Sequence, residues 1–312
     1  MEIKLNQSRF LALLFPFIII APFFLWGTAM VAMKAVIPET TPLFLGGMRL
    51  LPAGVLVIMA GMMLNRSQPK GWLAWGWISL FALVDGTLFQ GFLAEGLVHT
   101  GAGIGSVMID SQPLMIAVLS SLLFADRIGR IGWLGLGLGL TGISLIGLPE
   151  PLILETLQGN LTGLDINVSS LFSNGEWLML LAALSMAGGT ILIRYVCHHV
   201  DPVMATGWHL LLGGIPLFFL SGITENQQWQ NISFEGWLAI LYATVCGSAI
   251  AYGIFFYLAS SRNLTSFASL TFLTPIFALL FGNLLLQEQL TAIQTGGVCL
   301  TLVSIYLINQ RK

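Results

Sequence analysis

The feature of this sequence that most constrains its fold is a series of long apolar stretches. An α-helix rises about 1.5 Å per residue, so about 20 apolar residues cross the hydrocarbon core of a bilayer. Such stretches follow one another along the chain, separated mostly by short breaks that contain Pro, Gly, Asn or charged residues. The pattern predicts an all-α membrane protein with ten transmembrane helices. We place them at residues 11–34, 43–64, 72–92, 102–124, 131–148, 176–196, 203–223, 236–258, 265–286 and 290–308.

Composition argues against other classes of protein. Only 8% of the 312 residues are charged, whereas a soluble domain has about 25%. The net charge of −2 and the lack of a basic stripe argue against a nucleic-acid partner. The three cysteines form no CxxC pair, and the four histidines show no metal-ligand spacing. The sequence thus predicts no metal, no cofactor and no enzymatic centre.

The distribution of basic residues predicts the orientation in the membrane. Lys and Arg concentrate on the cytoplasmic side of membrane proteins. If the amino terminus is cytoplasmic, ten basic residues lie in inner segments and one, Lys34, lies outside. We therefore predict that both termini are cytoplasmic, in a multi-pass protein of the cell (inner) membrane.

One long break divides the chain into two halves that resemble each other. Residues 149–175 are acidic and contain no Lys or Arg. We interpret them as an outer linker loop between a first five-helix repeat, residues 1–148, and a second, residues 176–312. Residues that match at an offset of 160 or 162 include Pro42 with Pro202, Gly47 with Gly207, Arg49 with His209, Pro113 with Pro275 and Asp126 with Glu288.

The odd number of helices in each half predicts that the second half enters the membrane upside down. Inverted repeats are a recurring plan of secondary transporters, because exchanging the conformations of the two halves opens the site to the other side. A duplicated structural bundle without transport is the alternative interpretation.

Several segments together resemble a known family. The run from Trp26 to Lys34 and the position of Arg49 are similar to the start of the repeat in the EamA group of the drug/metabolite transporter superfamily. The segment from Pro275 to Gly297 resembles the end of that repeat. The resemblance covers nearly the whole chain, and it implies export or exchange of metabolites through a central cavity between the repeats.

Three ionisable residues, Arg49, Asp85 and Asp110, lie well within the predicted helices at a similar depth. A charged side chain in a bilayer costs roughly 3 kcal/mol or more unless it is paired or hydrated. We therefore expect that one carboxylate pairs with Arg49, and that Asp110 faces a cavity and takes part in substrate binding or proton coupling. An ion cluster that merely joins the helices is the alternative. His209 is interpreted as a helix contact, with proton transfer as its second interpretation.

Two prolines occupy equivalent places in the fourth and ninth helices. Proline removes the hydrogen bond to the carbonyl group four residues earlier, so Pro113 and Pro275 should kink their helices and free the carbonyl groups of Ile109 and Thr271. Freed carbonyl groups within a membrane need a donor, which a substrate or water can supply. The other candidates for substrate binding are polar or aromatic residues of the same helices or their neighbours, namely Trp26, Gln90, Gln112, Tyr252 and Thr271.

The sequence is therefore interpreted as that of a secondary transporter, an exporter or exchanger of small metabolites such as amino acids. Transport would proceed by alternating access through a central cavity. A channel or a non-transporting membrane receptor is the alternative. The expected partners are the lipid bilayer and a small-molecule substrate. Proton coupling and the choice between monomer and homodimer stay open.

Overall fold

The computed structural model describes residues 2–116, 119, 129–147, 175–261 and 269–309. Within these ranges all regular structure is helical. We number ten helices along the described chain. They are α1 (Glu2–Val36), α2 (Pro42–Met63), α3 (Gly71–His99), α4 (Ala102–Ile109), α5 (Arg130–Gly147), α6 (Gly175–Val196), α7 (Pro202–Thr224), α8 (Phe234–Ser260), α9 (Leu273–Leu286) and α10 (Ala292–Asn309).

Most of these helices suit a membrane. Within the described residues six are long and apolar enough to cross a bilayer, namely α1, α2, α3, α6, α7 and α8. α9 and the first part of α10 are apolar but shorter. The chain is therefore an all-helical integral membrane protein, while ten spans and their orientation stay predictions. Residues 149–174 of the predicted linker and Asp126 lie outside the described residues.

The third and eighth helices each contain a π-helical segment that hydropathy did not predict. The segments are Ala82–Leu88 in α3 and Ala243–Ile250 in α8, so they start 161 residues apart. A π-turn has the same apolar composition as the α-helix around it, and for that reason periodicity alone does not reveal it. Such segments widen a helix locally and occur frequently at functional sites. The helix α3 also continues to His99, beyond the predicted end at residue 92.

The fourth and ninth helices are less regular than predicted. α4 ends at Ile109, a turn follows at Asp110 and Ser111, and helix resumes at residues 112–116. A short 3₁₀ helix, Ser269–Phe272, precedes α9. Pro113 and Pro275 each lie within the first three residues of the helical segment that follows the irregular turn. Proline cannot donate the hydrogen bond that would continue the preceding helix, which accounts for both positions.

Glycines allow helices of the two halves to approach closely. In α2, Gly54 faces the backbone of Gly207 and Leu211 in α7. In α5, Gly142 faces the backbone of Gly297 and Thr301 in α10. Each pair joins one helix from each half, so the described core lies between the halves. Helices of both halves surround a cavity in this region.

Candidate functional site

Seven helices surround a cavity between the two halves, namely α1, α2, α3, α4, α6, α8 and α9. Its volume is about 40 Å³, which is room for a few ordered water molecules in the conformation of this structure. Pockets for small molecules combine apolar walls with a few polar groups. This cavity has that character, and its apolar walls consist mainly of Met30, Met33, Phe89, Leu93 and Met186.

Arg49 enters the cavity from α2 and is held by neutral partners. Its Nη1 donates a hydrogen bond to Ser248 Oγ at 3.0 Å, and its Nη2 donates to Gln90 Oε1. The amide of Gln90 donates in turn to the hydroxyl of Tyr252 at 2.7 Å. The guanidinium is 3% exposed, and no described carboxylate pairs with it. The site thus contains a buried cation whose charge no described side chain neutralises.

The prediction that a carboxylate pairs with Arg49 was therefore wrong for the described residues. Asp85 instead contacts His209 of α7, with Oδ2 3.1 Å from Nε2. Asp85 and Arg49 lie at a similar depth but do not contact each other, because the π-helical segment of α3 packs against α7 at this level. Asp85 is fully buried and does not line the cavity.

Asp110 lines the cavity from the turn that follows α4. Ser106, one helical turn earlier, donates a hydrogen bond to its Oδ2 at 3.2 Å. No basic side chain pairs with this carboxylate in the part of the chain that the structure describes. Asp110 is 4% exposed, so its surroundings are the cavity and neighbouring side chains rather than bulk water.

Three further polar atoms at the cavity walls have no hydrogen-bond partner among the described residues. They are the indole N–H of Trp26, the Nε of Arg49 and the hydroxyl of Thr274. Leaving a buried polar group unpaired costs about 1–3 kcal/mol, so proteins usually satisfy such groups. All three residues line the same cavity, so these atoms are candidates for contact with a polar ligand or ordered water.

The other residues predicted for the site are buried but lie behind the cavity wall. Gln90 orients Arg49 and Tyr252 as described above. The carbonyl oxygen of the Gln112 side chain has no described partner, and Thr271 is buried in the 3₁₀ turn before α9. Pro113 and Pro275 are buried beside these turns. A role in substrate binding or coupling stays a prediction for Gln90, Gln112 and Thr271, as does any role of the two prolines beyond these irregular turns.

Helical spacing could have found some of the wall residues that the sequence interpretation missed. Met30 and Met33 follow Trp26 by four and seven residues, which places all three on one face of α1. Ser106 precedes Asp110 by four residues in the same way. Spacing could not have found Met186, because the predicted site included no residue of α6 from which to count.

Carboxylates join the halves at the end of the bundle that is predicted to face outside. Glu225, after α7, accepts hydrogen bonds from the backbone N–H groups of Leu43 and Phe44 at the start of α2. Glu39 accepts hydrogen bonds from the backbone N–H and the hydroxyl of Ser233, which caps α8, and Glu288 accepts two from the backbone at the start of α4. The positive end of a helix dipole favours an anion at each of these places. Each contact links a loop of one half to a helix of the other.

Cys197, at the opposite end of the bundle, is a poor nucleophile. Burial and the neighbouring Asp201 raise the pKa of its thiol to about 12. A thiolate is the reactive form of cysteine, so Cys197 does not supply an enzymatic centre. The residues that the structure describes contain no cluster of His, Cys, Asp or Glu that could hold a metal ion.

Comparison with known proteins agrees with this architecture. The sequence matches the model of the EamA-like transporter family twice, over residues 13–148 and 173–310. An "Uncharacterized transporter sll0355" of Synechocystis sp. is 62% identical over 94% of this chain and 89% of its own. A "WAT1-related protein, chloroplastic" of Arabidopsis thaliana is 49% identical over 94% of this chain and 68% of its own.

A solved crystal structure that is 16% identical in sequence aligns with 93% of this chain and 94% of its own, with a TM-score of 0.66. This likeness concerns the fold alone. The two family matches together cover nearly the whole chain, and the Synechocystis relative is named as a transporter. The chain is a member of the EamA-like transporter family.

Proposed function

We propose that this protein is a secondary transporter that exports or exchanges small zwitterionic metabolites such as amino acids. The observation that carries the proposal is the pair of opposite charges in one cavity. Arg49 and Asp110 both line it, and neither forms an ion pair with a described side chain. A substrate with its own carboxylate and ammonium groups would complement both charges.

The carboxylate of the substrate would bind at Arg49. A guanidinium presents several N–H donors in a planar fork that matches a carboxylate. The Nε of Arg49, the indole N–H of Trp26 and the hydroxyl of Thr274 are unpaired donors on the same cavity. A carboxylate could accept from these groups and remove the cost of leaving them unsatisfied.

The ammonium group would bind at Asp110. Its carboxylate has one described hydrogen-bond partner, the hydroxyl of Ser106, and therefore retains free lone pairs. A charge-assisted hydrogen bond from an ammonium group contributes about 1.5–3 kcal/mol. This contribution would distinguish a free amine from an acylated one.

The apolar part of the substrate would contact methionine and aromatic side chains. Met30, Met33 and Met186 are unbranched and adapt to ligands of different shape. The rings of Trp26 and Tyr252 lie 5.1 Å apart at the polar end of this wall. Amino acids with an apolar side chain fit such a combination better than sugars, which would need more hydrogen-bond partners.

Alternating access would use two five-helix repeats of inverted orientation, residues 1–148 and 176–312, joined by the 149–175 linker. Two copies of the family model, the corresponding π-helical segments and the loop carboxylates that bridge the halves support this arrangement. With the distribution of basic residues, this arrangement predicts both termini in the cytoplasm, and we propose the cell membrane as the location of the protein. The turns at Pro113 and Pro275 provide irregular backbone where one half can move against the other.

Counterflow into proteoliposomes tests the proposal. Vesicles loaded with unlabelled leucine should take up labelled leucine in a saturable way, and other apolar amino acids should compete. Asp110→Asn should raise the KM about 10-fold or more, as the loss of a charged hydrogen bond predicts. Glu235→Gln, the same chemical change at an exposed residue of α8, is the matched control and should behave like the wild type.

The same assay separates the alternatives. A channel would give flux that does not saturate and shows no acceleration by substrate on the other side. A non-transporting receptor would bind leucine without flux. An Asp110→Asn variant with unchanged KM would contradict the assignment of the ammonium site.

A further inference from the structure

Asp85 and His209 form a buried pair that the substrate cavity does not use. Both side chains are 0% exposed, and the distance from Oδ2 to Nε2 is 3.1 Å. The other carboxylate oxygen of Asp85 and the Nδ1 of His209 have no hydrogen-bond partner among the described residues. A pair with so few supporting hydrogen bonds gains little stability over apolar residues of similar size. Its presence therefore indicates a role other than holding α3 to α7.

The contact between Arg49 and Ser248 is the counterpart of this pair with the two halves exchanged. Comparing the two contacts shows what is particular about Asp85 and His209. His209 follows Arg49 by 160 residues, and Ser248 follows Asp85 by 163 residues. Asp85 lies in the π-helical segment of α3 and contacts His209 of α7. Ser248 lies in the π-helical segment of α8 and contacts Arg49 of α2. One contact thus joins a permanent cation to a neutral hydroxyl group, whereas the other joins two groups that can gain or lose a proton.

We propose that Asp85 and His209 together form the proton-binding site that couples transport to a pH gradient. This inference rests on the proposed function of the chain as a secondary transporter. The pair takes up one proton from water on one side, which changes its net charge from −1 to 0, and releases that proton on the other side. No other bond forms or breaks, and the proton moves with or against the substrate in each cycle.

The titratable and charged groups near the pair are few. From α3, Asp85 itself faces His209. From α8, Tyr252 lies with its ring centre 6.3 Å from the imidazole. From α6, Gly188 and Gly189 face the segment around Asp85 and carry no charge. From α2, Arg49 connects through Gln90 to the hydroxyl group of Tyr252.

These contacts connect the proton-binding pair to the cavity that would bind the substrate. Tyr252 lines the cavity and also contacts the imidazole ring, and its hydroxyl group accepts the hydrogen bond that helps to position Gln90 and Arg49. A change of charge at His209 can therefore alter the orientation of the guanidinium that would bind the substrate. A ligand shifts an equilibrium only through a difference in interaction between two states, and this chain of contacts supplies one.

Water can reach the pair when the helices separate. A Cβ at residue 213 would lie 2.5 Å from the Cα of Gly86, so α3 and α7 meet here through backbone atoms. On the other side, a Cβ at residue 189 would overlap the carboxylate of Asp85. Phe81 and Phe256 cover the imidazole ring of His209, whereas glycines border the carboxylate of Asp85. A movement of α6 or α7 against α3 would therefore expose the pair from the side of Asp85.

The test compares exchange with uphill transport in proteoliposomes that have no membrane potential. At equal pH on both sides, leucine counterflow measures exchange. With a pH gradient, wild-type vesicles should accumulate leucine by up to about 10-fold per pH unit for one proton per substrate. The double variant Asp85→Ser with His209→Arg reproduces the Arg49–Ser248 contact, and it should keep exchange but lose accumulation. His199→Arg, at an exposed histidine, should retain both.

Two transport results would overturn the inference. One is a double variant that still accumulates leucine with the pH gradient, and the other is a wild type that exchanges leucine but never accumulates it. In the second case the proposed function stands.

Infrared titration of the detergent-purified protein supplies a test that does not need transport. Acidification should change the carboxylate bands of Asp85 or the ring bands of His209, and these changes should be absent from the double variant. If the variant Asp85→Ser with His209→Arg does not insert into the membrane, the variant Asp85→Asn with His209→Gln replaces it in this comparison. Identical difference spectra for variant and wild type would overturn the proposed site.

Discussion

Replacing Gly54 by alanine tests the packing that brings the two halves together. A Cβ at residue 54 would lie 2.5 Å from the backbone nitrogen of Leu211 and 2.8 Å from the carbonyl oxygen of Gly207. Backbone atoms cannot rotate away as a side chain can, so α2 and α7 must separate by several tenths of an ångström. Overpacking of this kind costs about 1–3 kcal/mol.

The assay is thermal unfolding of the purified protein in detergent. Gly54→Ala should lower the midpoint by several degrees, because about 1 kcal/mol shifts the Tm of a protein of 150–250 residues by about 2–4 °C. Gly222→Ala is the matched control, since Gly222 also lies in a helix, α7, and has no atom within 4 Å of the new Cβ. Alanine is favoured over glycine in a helix by about 0.5–1 kcal/mol, so this control should be neutral or stabilising. Equal midpoints for the two variants would refute the reasoning.

Three further predictions concern the buried charges, a helix cap and the topology. His209→Ala should destabilise the protein by about 3–5 kcal/mol because it leaves a buried carboxylate unpaired, and it should lower the Tm more than Arg49→Gln, whose partners are neutral. Glu225→Ala should cost about 0.5–2 kcal/mol as a lost helix cap, measured by the same thermal unfolding. Cysteines at Ser67 and Gln230, introduced into a background free of native cysteines, should react with an impermeant reagent from opposite sides. Reaction of both from one side would contradict the predicted topology.

Much of the fold was predictable because membrane helices carry a strong apolar signal. The helices α1, α2, α3, α6, α7 and α8 were placed within a few residues at most of their ends, apart from the first turns of α1 and the last turns of α3. The turn at Asp110 was less predictable. A proline indicates that a helix is disturbed, but it does not say whether the helix bends or stops.

The cavity itself was predictable in part. Depth and charge singled out Arg49 and Asp110, and both line the cavity. Depth along a helix axis does not specify the direction in which a side chain points, so the partner of Asp85 could not be found in that way. The offset that relates Arg49 to His209 marks equivalent positions in α2 and α7, and each residue contacts a π-helical segment, but the offset does not identify the partners. The neutral partners of Arg49 come from three-dimensional packing that no spacing in the sequence encodes.

Family membership and cavity chemistry together narrow the possible substrates. The relatives named above are transporter-family proteins, and none of their names states a substrate. The proposed substrate class rests instead on the walls of the cavity. They hold one cation, one anion, unpaired donors and an apolar surface, a combination that suits a small amphipathic zwitterion better than a sugar or a lipophilic cation.

The most direct test of the central claim is calorimetric binding to purified wild-type protein. Leucine carries both charges, whereas its N-acetyl derivative lacks the ammonium group and its methyl ester lacks the carboxylate. The account predicts that leucine binds and that each derivative binds about 10-fold more weakly or worse, since each loses one charge-assisted contact. Equal affinity for leucine and both derivatives, or binding of a neutral amphiphile alone, would contradict the assignment of Arg49 and Asp110 as the two ends of a zwitterion site.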